Sequence, residues 1–158
     1  MYNHEKTAEK QLILQQAELF VADALFAVSL LANITALLLQ YYHDVNWLGF
    51  YLADQDRLYL GPFQGKSACQ IIPFGKGVCG TAAASRQVQI VKDVRQLENH
   101  IACDSESLSE IVVPLVIADK VYGVLDIDAP TTDYFDEEDQ AFLLRLLEVI
   151  KPGLINAR

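Results

Sequence analysis

The hydrophobic period of this chain changes near residue 46. Before that point, apolar residues recur at helical spacing over residues 5–20 and again over residues 24–42. Residues 46–52 (NWLGFYL) instead alternate, so that Leu48 and Phe50 share one face of a strand. A segment with one of these periods cannot bury its apolar side in the other conformation. The chain must therefore combine helices at its start with a sheet that follows them.

Short strand-like segments then follow one another closely. They are residues 46–52, 57–62, 69–73, 88–91, 110–117 and 120–128. The last two form the clearest hairpin, with a turn at Ala118-Asp119, and the small residues of 78–85 predict a short packed helix. Short connections favour antiparallel pairing. The pattern predicts an α+β fold with a central, mostly antiparallel sheet, in a single domain over residues 1–158.

The end of the chain has the pattern of a closing helix. Asp136 is a good N-cap, acidic residues fill the next turn, and an apolar stripe follows. Pro152-Gly153 is predicted to end this helix. The apolar side of the first helix is predicted to consist of Leu12, Ile13, Leu19 and Phe20. We expect the terminal helices to pack together on one face of the sheet.

Charge and hydropathy exclude two classes of partner. The net charge is −9 and the isoelectric point is near 4.6, so the chain is poorly suited to phosphate backbones or anionic membrane surfaces. Residues 24–42 carry no charge, but Ser29, Asn33 and Gln40 form a thin polar stripe at helical spacing. No lysine or arginine flanks this segment closely. A core helix is favoured over a membrane span, and we expect no nucleic acid or membrane partner.

The cysteine content indicates a reducing compartment. The three cysteines, Cys69, Cys79 and Cys103, are an odd number, and the polar N-terminus has no signal-peptide pattern. The expected location is cytoplasmic. The cysteines are separated by 10 and 24 residues with no close pair, and His100 is the nearest fourth ligand, so a structural zinc site is disfavoured. No metal is predicted.

Three carboxylates are the strongest chemical signal. Asp126 and Asp128 lie two residues apart on an apolar strand, and therefore on one face. Glu110 begins the partner strand of the same hairpin. Acids brought together in this way repel one another and lose solvation, so a cation or a proton is expected among them. The alternative is a solvated sheet face, which antiparallel sheets often have.

The cysteines and the aromatic residues could belong either to a functional site or to the core. Cys103 lies in the polar segment HIACDSES, which suits a nucleophile because its thiolate can be reached. Cys79 lies among small residues and is expected to pack in the core. Trp47 and Tyr51 share a strand face, either as core or as the wall of a ligand site. The glycines around Cys79 lack P-loop spacing, so they indicate phosphate binding only weakly.

Four segments together resemble a known family. NWLGFYL, GPFQGKSACQIIPFGKGVCGTA, HIACDSESLSEIVVPL and GVLDIDAP are similar to segments of the free methionine-R-sulfoxide reductases, which are single-domain enzymes with a GAF fold. The similarity runs over about residues 24–152 and includes all three cysteines and the three carboxylates. Leu108 departs from it, because relatives commonly carry a polar residue there, and this could change substrate affinity.

The resemblance implies a fold and a mechanism. A GAF fold has helices on one face of its sheet and a ligand pocket on the other. The pocket would be lined by Trp47, Tyr51, Glu110, Asp126 and Asp128. By family likeness, Cys103 attacks the sulfoxide sulfur, Cys69 resolves the sulfenic acid as a disulfide, and thioredoxin reduces that disulfide. Cys79 would pack or form a secondary disulfide. No bound cofactor and a homodimer are also implied.

The chemistry of this substrate suits the residue types. Sulfoxide sulfur is a soft electrophile, and the departing oxygen needs a proton from a carboxyl group of raised pKa, with Glu110 and Asp128 as catalytic candidates. An acidic cluster can hold the substrate ammonium. Which carboxylate is the acid stays open. The alternatives are a non-catalytic GAF module that senses a small molecule, and a redox-sensing or metal-binding interaction protein.

Overall fold

The computed structural model describes residues 2–98 and 106–158, with side chains from residue 6 onward. Its helices are α1 (Tyr2–Ala22), α2 (Ala27–Tyr41), α3 (Gly77–Ser85) and α4 (Glu137–Asn156), with a 3-10 turn at Val94–Gln96. Its strands are β1 (Trp47–Asp54), β2 (Arg57–Gly65), β3 (Ile71–Pro73), β4 (Gln89–Val91), β5 (Ser109–Ile117) and β6 (Lys120–Ala129). Within this part of the chain, every helix is too short or too polar to cross a bilayer.

The six strands form one sheet in the order β3-β2-β1-β6-β5-β4. Every neighbouring pair is antiparallel, which confirms the predicted α+β class and sheet. The β5–β6 hairpin turns at Ala118 and Asp119, whose φ angles are 49° and 61°. Two consecutive positive φ angles are typical of the turn whose twist matches a hairpin. The central β1–β6 pair joins strands that are far apart in the sequence.

Both faces of the sheet are covered. Helices α1, α2 and α4 bury one face together with Leu48 and Phe50 of β1. On the opposite face, α3 packs with Trp47, Tyr51 and Val112. The terminal helices therefore lie on a single face, as their apolar stripes predicted, and the second face holds a smaller apolar cluster.

Helix α4 does not end at Pro152-Gly153, so that prediction was wrong. The helix continues to Asn156 although a proline removes one backbone hydrogen bond. Gly153 lies so close to α2 that an added Cβ would be 2.7 Å from Leu30 Cδ2. The backbone of Arg158 donates to the Leu25 carbonyl and accepts from Ala27, which holds the end of the chain against α2. Tertiary packing outweighs the helix-ending signal here.

The predicted apolar side of α1 was also wrong in part. Leu12 and Leu19 are 53% and 68% exposed, whereas Ile13 and Ala17 are buried. Positions 13 and 17 are one helical turn apart, so they define a single narrow contact line on the helix. The positions of α2 and α4 decide which apolar residues of α1 are buried, and the local sequence of α1 does not specify those positions.

Candidate functional site

Strand register brings the three predicted acids together. Asp128 lies opposite Trp47 on β1 and opposite Glu110 on β5. Asp126 lies opposite Gly49 and Val112 on the same two strands. Because side chains alternate along a strand, these acids project from the face that α3 covers.

A cavity lies between this sheet face and α3. Its lining includes Trp47, Tyr51, Cys79, Glu110, Asp126 and Asp128. The space open to the centres of water molecules is about 40 Å³. One water needs about 10–15 Å³ by that measure, so the cavity has room for a few waters or a small group. The structure thus brings together all five of the predicted substrate-binding residues, and Cys79 lies with them.

The acids are buried rather than solvated. Glu110 is 5% and Asp126 6% exposed, while Asp128 is half-buried. Oδ1 of Asp126 has no hydrogen-bond partner among the residues that the structure describes. A solvated sheet face therefore does not describe Glu110 and Asp126. Buried carboxyl groups normally have partners, so this arrangement suggests that a ligand completes it.

Burial controls the protonation of Glu110 and Asp126. Loss of solvation raises the pKa of Glu110 well above its usual range, and the charges of Asp126 and Asp128 raise it further. Burial also raises the pKa of Asp126, to about 6, although hydrogen bonds from Glu110 and Cys79 oppose this. Glu110 and Asp126 titrate as a coupled pair. Near neutral pH the pair retains a proton that it can donate to a bound ligand.

Cys79 lies against these acids. Its Sγ is 4.0 Å from Glu110 Oε1, and it also donates a hydrogen bond to Asp126. Burial raises the pKa of the Cys79 thiol well above its usual range, and the neighbouring carboxylates act in the same direction. The thiol is therefore protonated and free. Its burial agrees with the expected core packing, but no sequence pattern indicated that it would contact acids 31 and 47 residues away.

Trp47 and Tyr51 form an aromatic wall of the cavity. Their ring centroids are 5.8 Å apart, and the Phe63 ring stacks on Trp47 at 5.3 Å. Their polar atoms hold the loop that follows β2. Trp47 Nε1 donates to the Lys66 carbonyl at 3.1 Å, and the Tyr51 hydroxyl donates to the Cys69 carbonyl at 2.9 Å. The residue pattern left core packing and a ligand wall both open, and the family resemblance implied the wall. Neither indicated its contact with the cysteine-bearing loop.

Of the two predicted redox cysteines, Cys69 lies among the residues that the structure describes. Cys69 lies in the loop before β3, not on a strand as predicted, and it is disulfide-bonded. Cys103 and His100 lie outside the described residues. Leu108 is half-buried, and its backbone bonds to Val94 and Ala129 beside the pocket.

One set of described residues could hold a metal. Cys79, Glu110 and Asp126 offer one ligand atom each, and these atoms lie within 4.8 Å of one another. The zinc site weighed from the sequence consisted of the three cysteines and His100. The present set has only Cys79 in common with it. Pairing of β5 with β6 brings Glu110 and Asp126 into this set, and the spacing of cysteines in the sequence contains no information about that pairing.

The sheet, its helices and the pocket on the opposite face define the class of protein. The GAF domain family model matches residues 26–151, and the chain belongs to this family. Within that family, the chain belongs with the free methionine-R-sulfoxide reductases. It is 52% identical to the free methionine-R-sulfoxide reductase of Escherichia coli over 124 residues, covering 78% of this chain and 75% of that protein.

Two further comparisons agree over most of the chain. Protein YtsP of Bacillus subtilis is 45% identical over 95% of this chain and 93% of its own length. The crystal structure of the free methionine-R-sulfoxide reductase of Neisseria meningitidis in complex with its substrate is 43% identical, with a TM-score of 0.89. That match covers 93% of this chain and 89% of the other. The family that the sequence motifs indicated is thereby confirmed.

Proposed function

We propose that this protein reduces free L-methionine-(R)-sulfoxide to methionine. The observation that carries the proposal is the buried acidic group of Glu110 and Asp126 beneath the aromatic wall of Trp47 and Tyr51. The relatives from Escherichia coli and Neisseria meningitidis are both named free methionine-R-sulfoxide reductase. The structure of the latter contains its substrate.

Each part of the substrate has a counterpart in the pocket. The ammonium of a free amino acid compensates buried negative charge that is otherwise costly. The S-methyl group fits against the aromatic wall. A residue inside a peptide has no ammonium that could compensate this charge. This accounts for selection of the free amino acid.

The reduction step follows from the thiol and the acids. The Cys103 thiolate attacks the sulfoxide sulfur while a carboxyl group of the pocket protonates the departing oxygen. The protonated oxygen then passes from the substrate sulfur to the Cys103 sulfur as the bonds from the substrate sulfur to oxygen and to Cys103 break. Methionine leaves, and Cys103 is left as a sulfenic acid. Glu110 and Asp128 are the candidates for the acid, and the raised pKa of Glu110 suits it to hold that proton near neutral pH.

A second thiol completes the cycle. The Cys69 thiol attacks the sulfenic acid, which forms a disulfide and releases water. Cys69 is disulfide-bonded in the structure, which supports its assignment as the resolving cysteine. Thioredoxin, as the external dithiol, then reduces the disulfide. We further propose that the protein works in the reducing cytoplasm, as a homodimer and with no bound cofactor.

Thiol loss provides the primary test. Reduced protein mixed with free methionine-R-sulfoxide should lose two thiols for each sulfoxide reduced. The S epimer and N-acetylmethionine sulfoxide serve as controls and should react very slowly. A small-molecule-sensing GAF module would bind without any thiol loss, and this outcome would refute the proposal.

Single cysteine variants separate the two redox steps. Cys103→Ser should abolish reduction, whereas Cys69→Ser should reduce about one equivalent and then stall with thioredoxin. Peptide mapping of the oxidised wild type should find a Cys69–Cys103 disulfide. A Cys79–Cys103 disulfide as the sole product would reassign the resolving role to Cys79.

A further inference from the structure

The lining of the cavity contains a thiol and two buried carboxylates. Among the described residues, the lysine or arginine that lines this cavity is Lys76, whose side chain is exposed. Cys79 and Glu110 are 5% exposed and Asp126 is 6% exposed. Over residues 2–98 and 106–158, neither carboxylate forms an ion pair with lysine or arginine. Buried acids of this kind normally have a cationic or hydrogen-bonded partner.

Asp126 supplies a second, independent observation. One of its oxygens accepts hydrogen bonds within the cluster, but Oδ1 is completely buried and has no partner in the described part of the chain. This oxygen belongs to a residue that lines the cavity. It has an unused lone pair at the place where a ligand would sit.

We propose that Cys79, Glu110 and Asp126 form a binding site for one thiophilic divalent cation, of the class of Zn²⁺ and Cd²⁺. A thiolate combined with two carboxylates favours such ions over Mg²⁺ or Ca²⁺, which take oxygen ligands alone. None of the three residues comes from a close cysteine pair, so the site is of a different kind from a structural zinc finger.

The geometry is close to what such an ion requires. With Zn–S near 2.3 Å and Zn–O near 2.0 Å, a tetrahedral site separates sulfur from oxygen by about 3.5 Å. The separation of Cys79 Sγ from Glu110 Oε1 is 4.0 Å, and all three ligand atoms lie within 4.8 Å. Rotamer adjustments below about 1 Å would bring them to bonding distance. The remaining space of the cavity can supply a water as fourth ligand.

The cation and the substrate would then exclude each other. This consequence, unlike the binding itself, rests on the proposed function. The ion would occupy the position at which the acids hold the substrate ammonium. On binding, the thiol and the carboxyl pair release their protons to solvent, so that three anionic ligands hold the doubly charged ion. Thiophilic cations should therefore inhibit reduction competitively with the sulfoxide.

Cadmium binding can be measured without reductase activity. In full-length Cys69→Ser/Cys103→Ser protein, Cys79 is the only thiol. Titration with Cd²⁺ should produce the ultraviolet band of cadmium–thiolate bonding and saturate at one ion per chain. Addition of Cys79→Ser should abolish the band. Addition of Asp126→Asn should weaken binding at least about 10-fold, since loss of even an indirect ligand partner costs that much.

Controls make each outcome decisive. Glu137→Gln, on the exposed first turn of α4, should leave the Cd²⁺ affinity unchanged. Near-ultraviolet circular dichroism checks that every variant is folded, and Glu110→Gln replaces Asp126→Asn if the latter is not. A missing band at excess Cd²⁺, or equal affinity with and without the Asp126 carboxylate, overturns the site. Non-competitive inhibition of the wild type overturns its overlap with the substrate, and an inactive wild type that binds Cd²⁺ overturns only the proposed function.

Discussion

Replacing Asp126 by asparagine should change stability in a pH-dependent way. Burial raises the pKa of this carboxyl group from 3.8 to about 6. The folded protein therefore binds the proton more tightly than the unfolded chain does. This contribution favours folding fully below pH 3.8 and is lost as the pH rises to about 6.

The magnitude follows from those two values. The difference of 2.2 pH units (6 − 3.8) corresponds to about 3 kcal/mol at 1.36 kcal/mol per unit. At about pH 7.5 the wild type carries this whole cost of a buried charge, and at about pH 4 it carries little of it. Asparagine does not titrate, so the variant lacks this pH-dependent contribution to the free energy of unfolding.

Urea unfolding of both proteins at these two pH values provides the measurement. The free energy of unfolding of Asp126→Asn, relative to wild type, should be about 2–3 kcal/mol more favourable at pH 7.5 than at pH 4. Glu137→Gln, which removes an exposed carboxylate far from the pocket acids in the sequence, serves as the matched control. An equal effect of Asp126→Asn at both pH values would show that Asp126 is not a destabilised acid in the folded protein, and the reasoning about the pocket would fail.

Three further substitutions test the elements that build the site. Tyr51→Phe removes the 2.9 Å hydrogen bond to the Cys69 carbonyl and should lower the free energy of urea unfolding by about 1 kcal/mol. It should also slow disulfide formation by Cys69 in rapid-quench mass spectrometry. Gly123→Ala places a Cβ 2.2 Å from the Tyr51 carbonyl oxygen, and should cost about 1–3 kcal/mol in the same unfolding assay. Asp136→Ala removes the capping box of α4 and should lower the thermal midpoint with a loss of about 1 kcal/mol, whereas Asp136→Asn should retain most of it.

Much of the fold follows from local patterns. The alternation in residues 46–52 and in the β5–β6 hairpin predicted strands because each residue's face depends only on its neighbours. The Ala118-Asp119 turn and the Asp136 cap were predicted for the same reason, and both are present. The ends of elements were less well predicted, as Pro152 shows. A proline signals a helix end locally, but α2 packing around Gly153 carries α4 four residues beyond it.

The sequence by itself determined that Asp126 and Asp128 share a strand face with Glu110 nearby, since period and hairpin pairing require it. Only the tertiary structure decided that Cys79 lies against two of these acids. That contact depends on how α3 packs over the sheet. An added Cβ on Gly80 would be 2.4 Å from the Pro73 carbonyl oxygen, so α3 lies unusually close to the end of β3. Close approach between elements distant in sequence is set by the packing of the whole core, and no local pattern of residues records it.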